Sequence, residues 1–297
     1  MTDRRSHLDG LAVATLILCC ALWGLNQVAT KIALSEVPPL LQAGARSLCA
    51  ALLVLVWCKW RGVKLFERDG SLPGGLLAGL LFGLEFACIF AGLQFTTASR
   101  MVVFIYLSPF VVALGMPFIT SAERLRPIQM LGLVLAFVAV TWAFAESFVG
   151  GSAPPRQWLG DGLGVLAAVL WASTTLSIRA TKLSRVSGEK TLFYQLCVSG
   201  VALLLGAWVM GEPLPASLSA RVSILLAFQI VVVTFASYLL WFRLVRQYPA
   251  AMLASFTLLT PLFGLAAGAV LLGEPVTTRL VVALAAVAMG MVLVNRR

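Results

Sequence analysis

Of the 297 residues, 60% are hydrophobic and only 11% are charged, against about 25% charged in a soluble domain. That balance excludes a soluble globular fold, and with it the reading of the +10 net charge as a nucleic-acid-binding face; basic loops beside membrane spans account for the charge. The one histidine, His7, lies in the polar N-terminal stretch, and the six cysteines sit in or at the ends of apolar runs without metal-ligand spacing, so no metal site, cofactor site or disulfide framework is expected.

Turn chemistry divides the chain into ten apolar spans, estimated as 11–34, 40–60, 73–95, 99–120, 127–147, 160–181, 189–210, 222–245, 250–272 and 276–294. Each approaches the ~20 residues that cross the hydrocarbon as a helix. The first is long for a signal-peptide core and reads as a retained helix. It carries Trp23, Asn26, Gln27 and Thr30 at i, i+3, i+4 and i+7, which share one helix face. The second holds Arg46 about two turns in, where it either snorkels outward, the simpler reading, or answers a buried carboxylate. The third holds Gly75, Gly79 and Gly83, a ridge for close helix approach, and Glu85, alone in LLFGLEFACIF. Near the bilayer centre an acid is about 3 kcal/mol unfavourable, so Glu85 is expected to face the interior rather than lipid. There it answers a substrate ammonium, exchanges a proton, or serves as a hydrogen-bonding group between helices.

The fourth span offers Tyr106, Ser108 and Pro109. The sixth repeats the pattern of the first with Trp171, Thr174 and Thr175. The eighth has Thr234, Ser237 and Trp241 on one face, and the ninth has Thr257, Thr260 and Pro261. Each proline frees a backbone carbonyl one turn back, which makes either a packing kink or a hinge. Trp23 and Trp171 lie mid-span and either stack on a solute or pack the core. Glu123 and Glu274 precede helices, where a carboxylate favours the positive dipole end. All but six of the 22 lysines and arginines (Lys31, Arg46, Arg100, Arg156, Arg221 and Arg279) fall on the side of the N-terminus. This places both termini in the cytoplasm and makes the span number even.

The two halves echo each other. ALWGLNQVATK (21–31) aligns with VLWASTTLSIR (169–179), and Pro109 aligns with Pro261. Glu85 falls opposite Ser237 at the same offset. Five spans per half is odd, so the halves enter the membrane from opposite sides, an inverted-repeat transporter architecture. The expected fold is an all-α integral membrane protein of ten transmembrane helices, two inverted five-helix repeats around a central cavity. Residues 1–147 form the first repeat, 148–159 a connecting loop and 160–297 the second. Two halves complete the body, so no oligomer is required.

ALWG, AGARSLCAALL and L-S-P-F…S-A-E-R-L with its echo L-T-P-L…L-G-E-P resemble the EamA type of the drug/metabolite transporter superfamily. Within it the chain is similar to YddG-type bacterial exporters of aromatic and other amino acids. SAER departs from the commoner form, which has glycine before the glutamate. The resemblance implies alternating access in the bacterial inner membrane and a small-molecule substrate, with amino acids expected and drugs or other metabolites as the alternative. The expected substrate contacts are Trp23, Asn26, Gln27, Glu85, Tyr106, Trp171, Thr174, Thr175, Ser237 and Thr257, with Pro109 and Pro261 as hinges. An enzyme is disfavoured, because the four aspartates sit at termini or span ends and no nucleotide-binding motif is present. A channel or a sensor is a weaker alternative.

Overall fold

The computed structural model describes residues 9–119, 127–149, 156–248, 253, 256–257 and 259–294. Glu123 and the middle of the connecting loop lie outside them. Helix α1 runs Gly10–Ala33, α2 Pro39–Trp60, α3 Leu72–Gly92, α5 Pro127–Val149, α6 Gln157–Ala180, α7 Gly188–Val209, α9 Leu259–Leu272 and α10 Thr278–Val294. The fourth and eighth spans are interrupted. The fourth comprises α4a (Ala98–Ile105) and α4b (Ser108–Ile119). The eighth comprises α8a (Ala220–Ala227), a π-helical segment Phe228–Ser237 and α8b (Tyr238–Gln247). Among the described residues, eight spans are long and apolar enough to cross a membrane; α9 and α10 are shorter apolar helices.

Local chemistry starts these helices where the sequence places polar residues. The side chains of Asp9, Thr97, Ser187 and Ser219 accept from the amides of Ala12, Arg100, Lys190 and Val222, each satisfying an otherwise orphaned N–H in a first turn. Pro39 opens α2, where its missing N–H is harmless. Two spans depart from continuous α-helix, the fourth beside Pro109 and the eighth without a proline. The fourth span breaks at Tyr106–Leu107, just before Pro109, because proline has no N–H to give the Ile105 carbonyl four residues back and its ring crowds that carbonyl. The eighth widens to i→i+5 pairing, which turns Gln229, Val233, Thr234 and Ser237 into the interior.

The halves interlock. Helix α1 packs on α9 and, equivalently, α4 on α6. Likewise α3 meets α6 as α1 meets α8, and α3 meets α7 as α2 meets α8, while α2 with α7, α4 with α9 and α5 with α10 close the pattern. Exchanging each helix with its counterpart five places on leaves the set unchanged, the signature of an inverted repeat. The glycine ridge of α3 permits one of these crossings. A Cβ on Gly79 would lie 2.5 Å from Cβ of Val198 and 2.9 Å from the Tyr194 carbonyl oxygen, so α7 packs directly on the α3 backbone.

One end of the bundle is tied by buried charge. Glu274 accepts from the amides of Ala98 (2.7 Å) and Ser99 (2.9 Å) and from the Ser99 hydroxyl (2.6 Å). It therefore caps α4a and not, as expected, the following helix. Glu212 does the same for α2 through Leu40 and Leu41. Both acids sit in a Gly-Glu-Pro turn whose glycine has φ near +65° (Gly211 66°, Gly273 64°), a conformation that favours glycine at a helix end. Arg100 pairs with Asp161 and Glu146, each at 2.7 Å. Asp161 also accepts from Thr96, and Lys31 donates to the Leu93 and Thr96 carbonyls.

At the opposite end, Lys190 of α7 holds Asp69 of the α2–α3 loop at 2.8 Å and also donates to the Glu67 carbonyl. The Lys190 bond, followed by those from Ser71, keeps the Asp69 carboxyl well below the usual carboxylate range. A depressed carboxyl contributes stability that is present above its unfolded pKa and is lost as pH falls through the folded value. The thermal midpoint of the detergent-purified protein should therefore drop on acidification below about pH 4. Asp69→Asn should lower the midpoint at neutral pH and shrink that acid-side drop. An Asp69→Asn variant with the wild-type acid profile would show that the pair does not contribute.

Candidate functional site

The bundle interior holds polar side chains whose hydrogen-bonding capacity the described residues do not meet. From α1 come Asn26, Gln27 and Thr30; from α2, Gln42, Arg46 and Ser47; from α3, Glu85; from the π-helical segment, Gln229 and Thr234. Each has at least one buried polar atom with no hydrogen-bond partner among the described residues. Such an atom costs about 1–3 kcal/mol, and native interiors contain few of them. Their concentration on four facing helices makes this layer the candidate site.

Arg46 is the largest of these groups. It is 0% exposed, so it does not snorkel, and that expectation is corrected. Its guanidinium carbon lies 4.0 Å above the Phe86 ring and 5.0 Å from the Phe90 ring, both on α3. Aromatic faces stabilise the charge there and close the route outward. Nε and both terminal nitrogens lack hydrogen-bond partners among the described residues. Glu85, one residue before Phe86, is 5% exposed, and one of its oxygens is likewise unmet. It faces the interior, in electrostatic reach of Arg46 and Tyr238, without forming an ion pair with Arg46. Gln42, one turn before Arg46, donates to the Thr30 carbonyl (3.5 Å) and to Gln229 (3.4 Å), which ties α1, α2 and α8 together beside the charges.

The other expected residues fall into two further groups. The Trp23 indole donates to the Ser237 hydroxyl at 2.8 Å and meets Tyr238 and Trp241 edge-on, with centroids 6.2 and 5.4 Å apart. Tyr106, at the break in the fourth span, is buried and meets Trp171 edge-on at 5.8 Å. Trp23 and Trp171 occupy equivalent places in the two halves, but their ring partners differ, from the eighth span for Trp23 and from the fourth for Trp171. Thr174 and Thr175 donate to the carbonyls of Leu170 and Trp171 within α6, so they lack the open capacity of Asn26 and Gln27. Thr257 is half-buried ahead of α9, and Pro261 lies in the first turn of α9. Sequence reasoning passed over Gln42, Gln229 and Tyr238. The spacing of Gln42 and Arg46, one turn apart on an otherwise apolar helix, is the signal that could have found the α2 face.

The EamA-like transporter family's sequence profile matches residues 10–145 and 158–296. The chain is similar to an uncharacterized transporter of Bacillus subtilis, YvbV, at 28% identity over 97% of this chain and 91% of that one. It is also similar to a probable amino-acid metabolite efflux pump of Salmonella typhimurium, at 27% identity over 92% and 89%, and to an S-adenosylmethionine/S-adenosylhomocysteine transporter of Chlamydia trachomatis, at 27% over 89% and 83%. A solved crystal structure shares the fold with a TM-score of 0.65 at 21% identity, over 96% of this chain and 98% of that one.

Unmet hydroxyls make a direct prediction. Thr234→Val and Thr30→Val keep the side-chain shape and delete a buried group without a partner. Each should stabilise the purified protein by about 1 kcal/mol, read as a raised thermal midpoint. Thr174→Val, which removes a satisfied hydroxyl, should not. Lowered midpoints for both Thr234→Val and Thr30→Val would mean that these hydroxyls are bonded at rest and do not belong to an open site.

Proposed function

We propose that this chain, which belongs to the EamA-like transporter family, is a secondary carrier that exports amino acids, neutral and aromatic ones with broad specificity, across the bacterial inner membrane by alternating access. The observation that carries this reading is the layer of unmet polar groups on α1, α2, α3 and α8, enclosed by an otherwise apolar multi-pass bundle. Groups left without a partner among the described residues are placed to answer a polar solute, and a solute that satisfies them in turn from either side is what a carrier requires. The relatives named as amino-acid metabolite efflux pumps support the substrate class.

In this reading the N- and C-termini are cytoplasmic, and the end tied by Arg100, Asp161, Glu146 and Glu274 is the outer one. Release to the outside then requires those bonds to part. The break at Tyr106–Leu107, with Pro109 behind it, and Pro261 at the head of α9 supply the hinges. Trp23 and Trp171 with their aromatic partners flank the path. Glu85 meets the substrate ammonium or exchanges a proton; Arg46, Tyr238 and Cys88 lie within its electrostatic reach. The protein acts as a carrier and needs no cofactor.

Counterflow in proteoliposomes tests the reading. Neutral and aromatic amino acids should each drive saturable uptake of a labelled amino acid. Counterflow by a drug or a nucleoside derivative alone would move the substrate assignment elsewhere in the family, and a linear, unsaturable flux would indicate a channel. Glu85→Gln should fold and show a reduced or pH-insensitive initial rate. Equal rates and pH profiles for the two proteins would leave Glu85 as a structural hydrogen-bonding group.

A further inference from the structure

We propose that Arg46 is the carboxylate-binding residue of the carrier and that it works with Glu85 to select zwitterions. The substrate carboxylate lies on the guanidinium of α2, and the substrate ammonium lies on the carboxyl of α3. The assignment rests on the amino-acid reading above and adds the part of the substrate that the reading leaves open.

The geometry supplies three arguments. The first is need. A fully enclosed guanidinium requires an anion, since a buried charge is sustained only when it is paired and hydrogen-bonded. Phe86 and Phe90 stabilise the charge from the face of the ion but leave all three nitrogens without acceptors among the described residues. The second is shape. With a flat face covered by aromatic rings, what remains open is the edge of the guanidinium, which carries the N–H fork that matches a carboxylate bidentately. The third is polarity. The unmet groups beside Arg46 are of both kinds: donors at Arg46 and the Gln229 amide nitrogen, acceptors at Glu85 and the Gln42 carbonyl. A simple anion would leave the acceptors unanswered, and a simple amine would leave the guanidinium unanswered. An α-amino acid, which carries one carboxylate and one ammonium two bonds apart, answers both. A zwitterion is neutral overall, so it brings no net charge into the buried site.

Binding to the detergent-purified full chain tests the assignment. The probes are L-phenylalanine, L-leucine and L-threonine, the amide of each, which lacks the carboxylate, and the N-acetyl derivative of each, which lacks the ammonium. Wild-type protein should bind the acids about ten- to a hundredfold more tightly than the amides, the range expected for a charged hydrogen-bonding pair. Arg46→Gln should collapse that ratio toward one while leaving amide binding within about threefold, a margin small against the tenfold step of about 1.4 kcal/mol. Glu85→Gln should keep the acid-to-amide ratio and lose the preference for the free amine over the N-acetyl form. Arg46→Lys, which retains the charge without the fork, should give an intermediate acid-to-amide ratio and serves as the test variant if Arg46→Gln does not yield folded protein. A folded Arg46→Gln or Arg46→Lys variant with the wild-type ratio overturns the assignment while leaving the amino-acid reading intact. A wild-type protein that binds none of the amino acids overturns the amino-acid reading and the zwitterion pairing together.

Discussion

A guanidinium enclosed in an apolar helical bundle must be answered, and the arrangement of the interior follows from how Arg46 is answered. Cation–π contact with Phe86 and Phe90 stabilises the charge from one side without consuming its hydrogen bonds. Facing lipid in place of Phe86 and Phe90, the same group would be unfavourable by about 3 kcal/mol or more. The α3 aromatic face therefore fixes how α2 and α3 sit, and Glu85, next in sequence to Phe86, is carried inward with it. Around this pair, amides and hydroxyls of α1, α2 and α8 have no partner among the described residues. An interior optimised for stability would have used apolar side chains there. In the carrier reading proposed above, the retained polarity serves a site that exchanges partners.

The proposed carrier action places the interlocking of the halves at its centre. Each repeat packs chiefly on the other, with the same pairings in both directions, so movement of one repeat reshapes both ends of the bundle at once. The ends are fastened differently. One is held by Arg100 with Asp161 and Glu146 and by two acids that cap helices α2 and α4a from distant loops. The other is held by Lys190 with the half-exposed Asp69. Small residues at the α3–α7 crossing keep the helices close enough for shifts at one end to reach the other, since packed interfaces move between discrete arrangements rather than deforming smoothly.

Much of this was legible in the sequence because the membrane forces it to be. Backbone groups in hydrocarbon must pair within a helix, so composition and the prolines and glycines between apolar runs were enough to locate the spans. The correspondence of Trp23 with Trp171 followed from helical spacing and the internal echo, whereas their contacts with Ser237 and Tyr106 did not. Glu85 followed from the energy of an acid in lipid. What remained hidden depends on neighbours distant in sequence. Whether Arg46 snorkels is decided by rings on α3. Which helix Glu274 caps is decided by a contact 176 residues away. The π-helical segment of the eighth span leaves no trace in hydropathy, because an apolar run reads alike at either helical pitch. The face of α2 was missed for a different reason: the one-turn spacing of Gln42 and Arg46 was in the sequence, but the bond of Gln42 to Gln229 was not.

If the polar face of α1 lines the route of the solute, as the carrier reading requires above all, cysteine accessibility tests it most directly. In a background whose native cysteines are replaced, Gln27→Cys is treated with a hydrophilic, membrane-impermeant thiol reagent in right-side-out and inverted vesicles, with and without saturating amino acid. The thiol introduced by Gln27→Cys should react, and bound amino acid should slow the reaction, while a cysteine at lipid-facing Leu84 should not respond to substrate. A Gln27→Cys thiol that stays inert in both vesicle orientations, or that reacts at the same rate with and without amino acid, would contradict a solute route along α1.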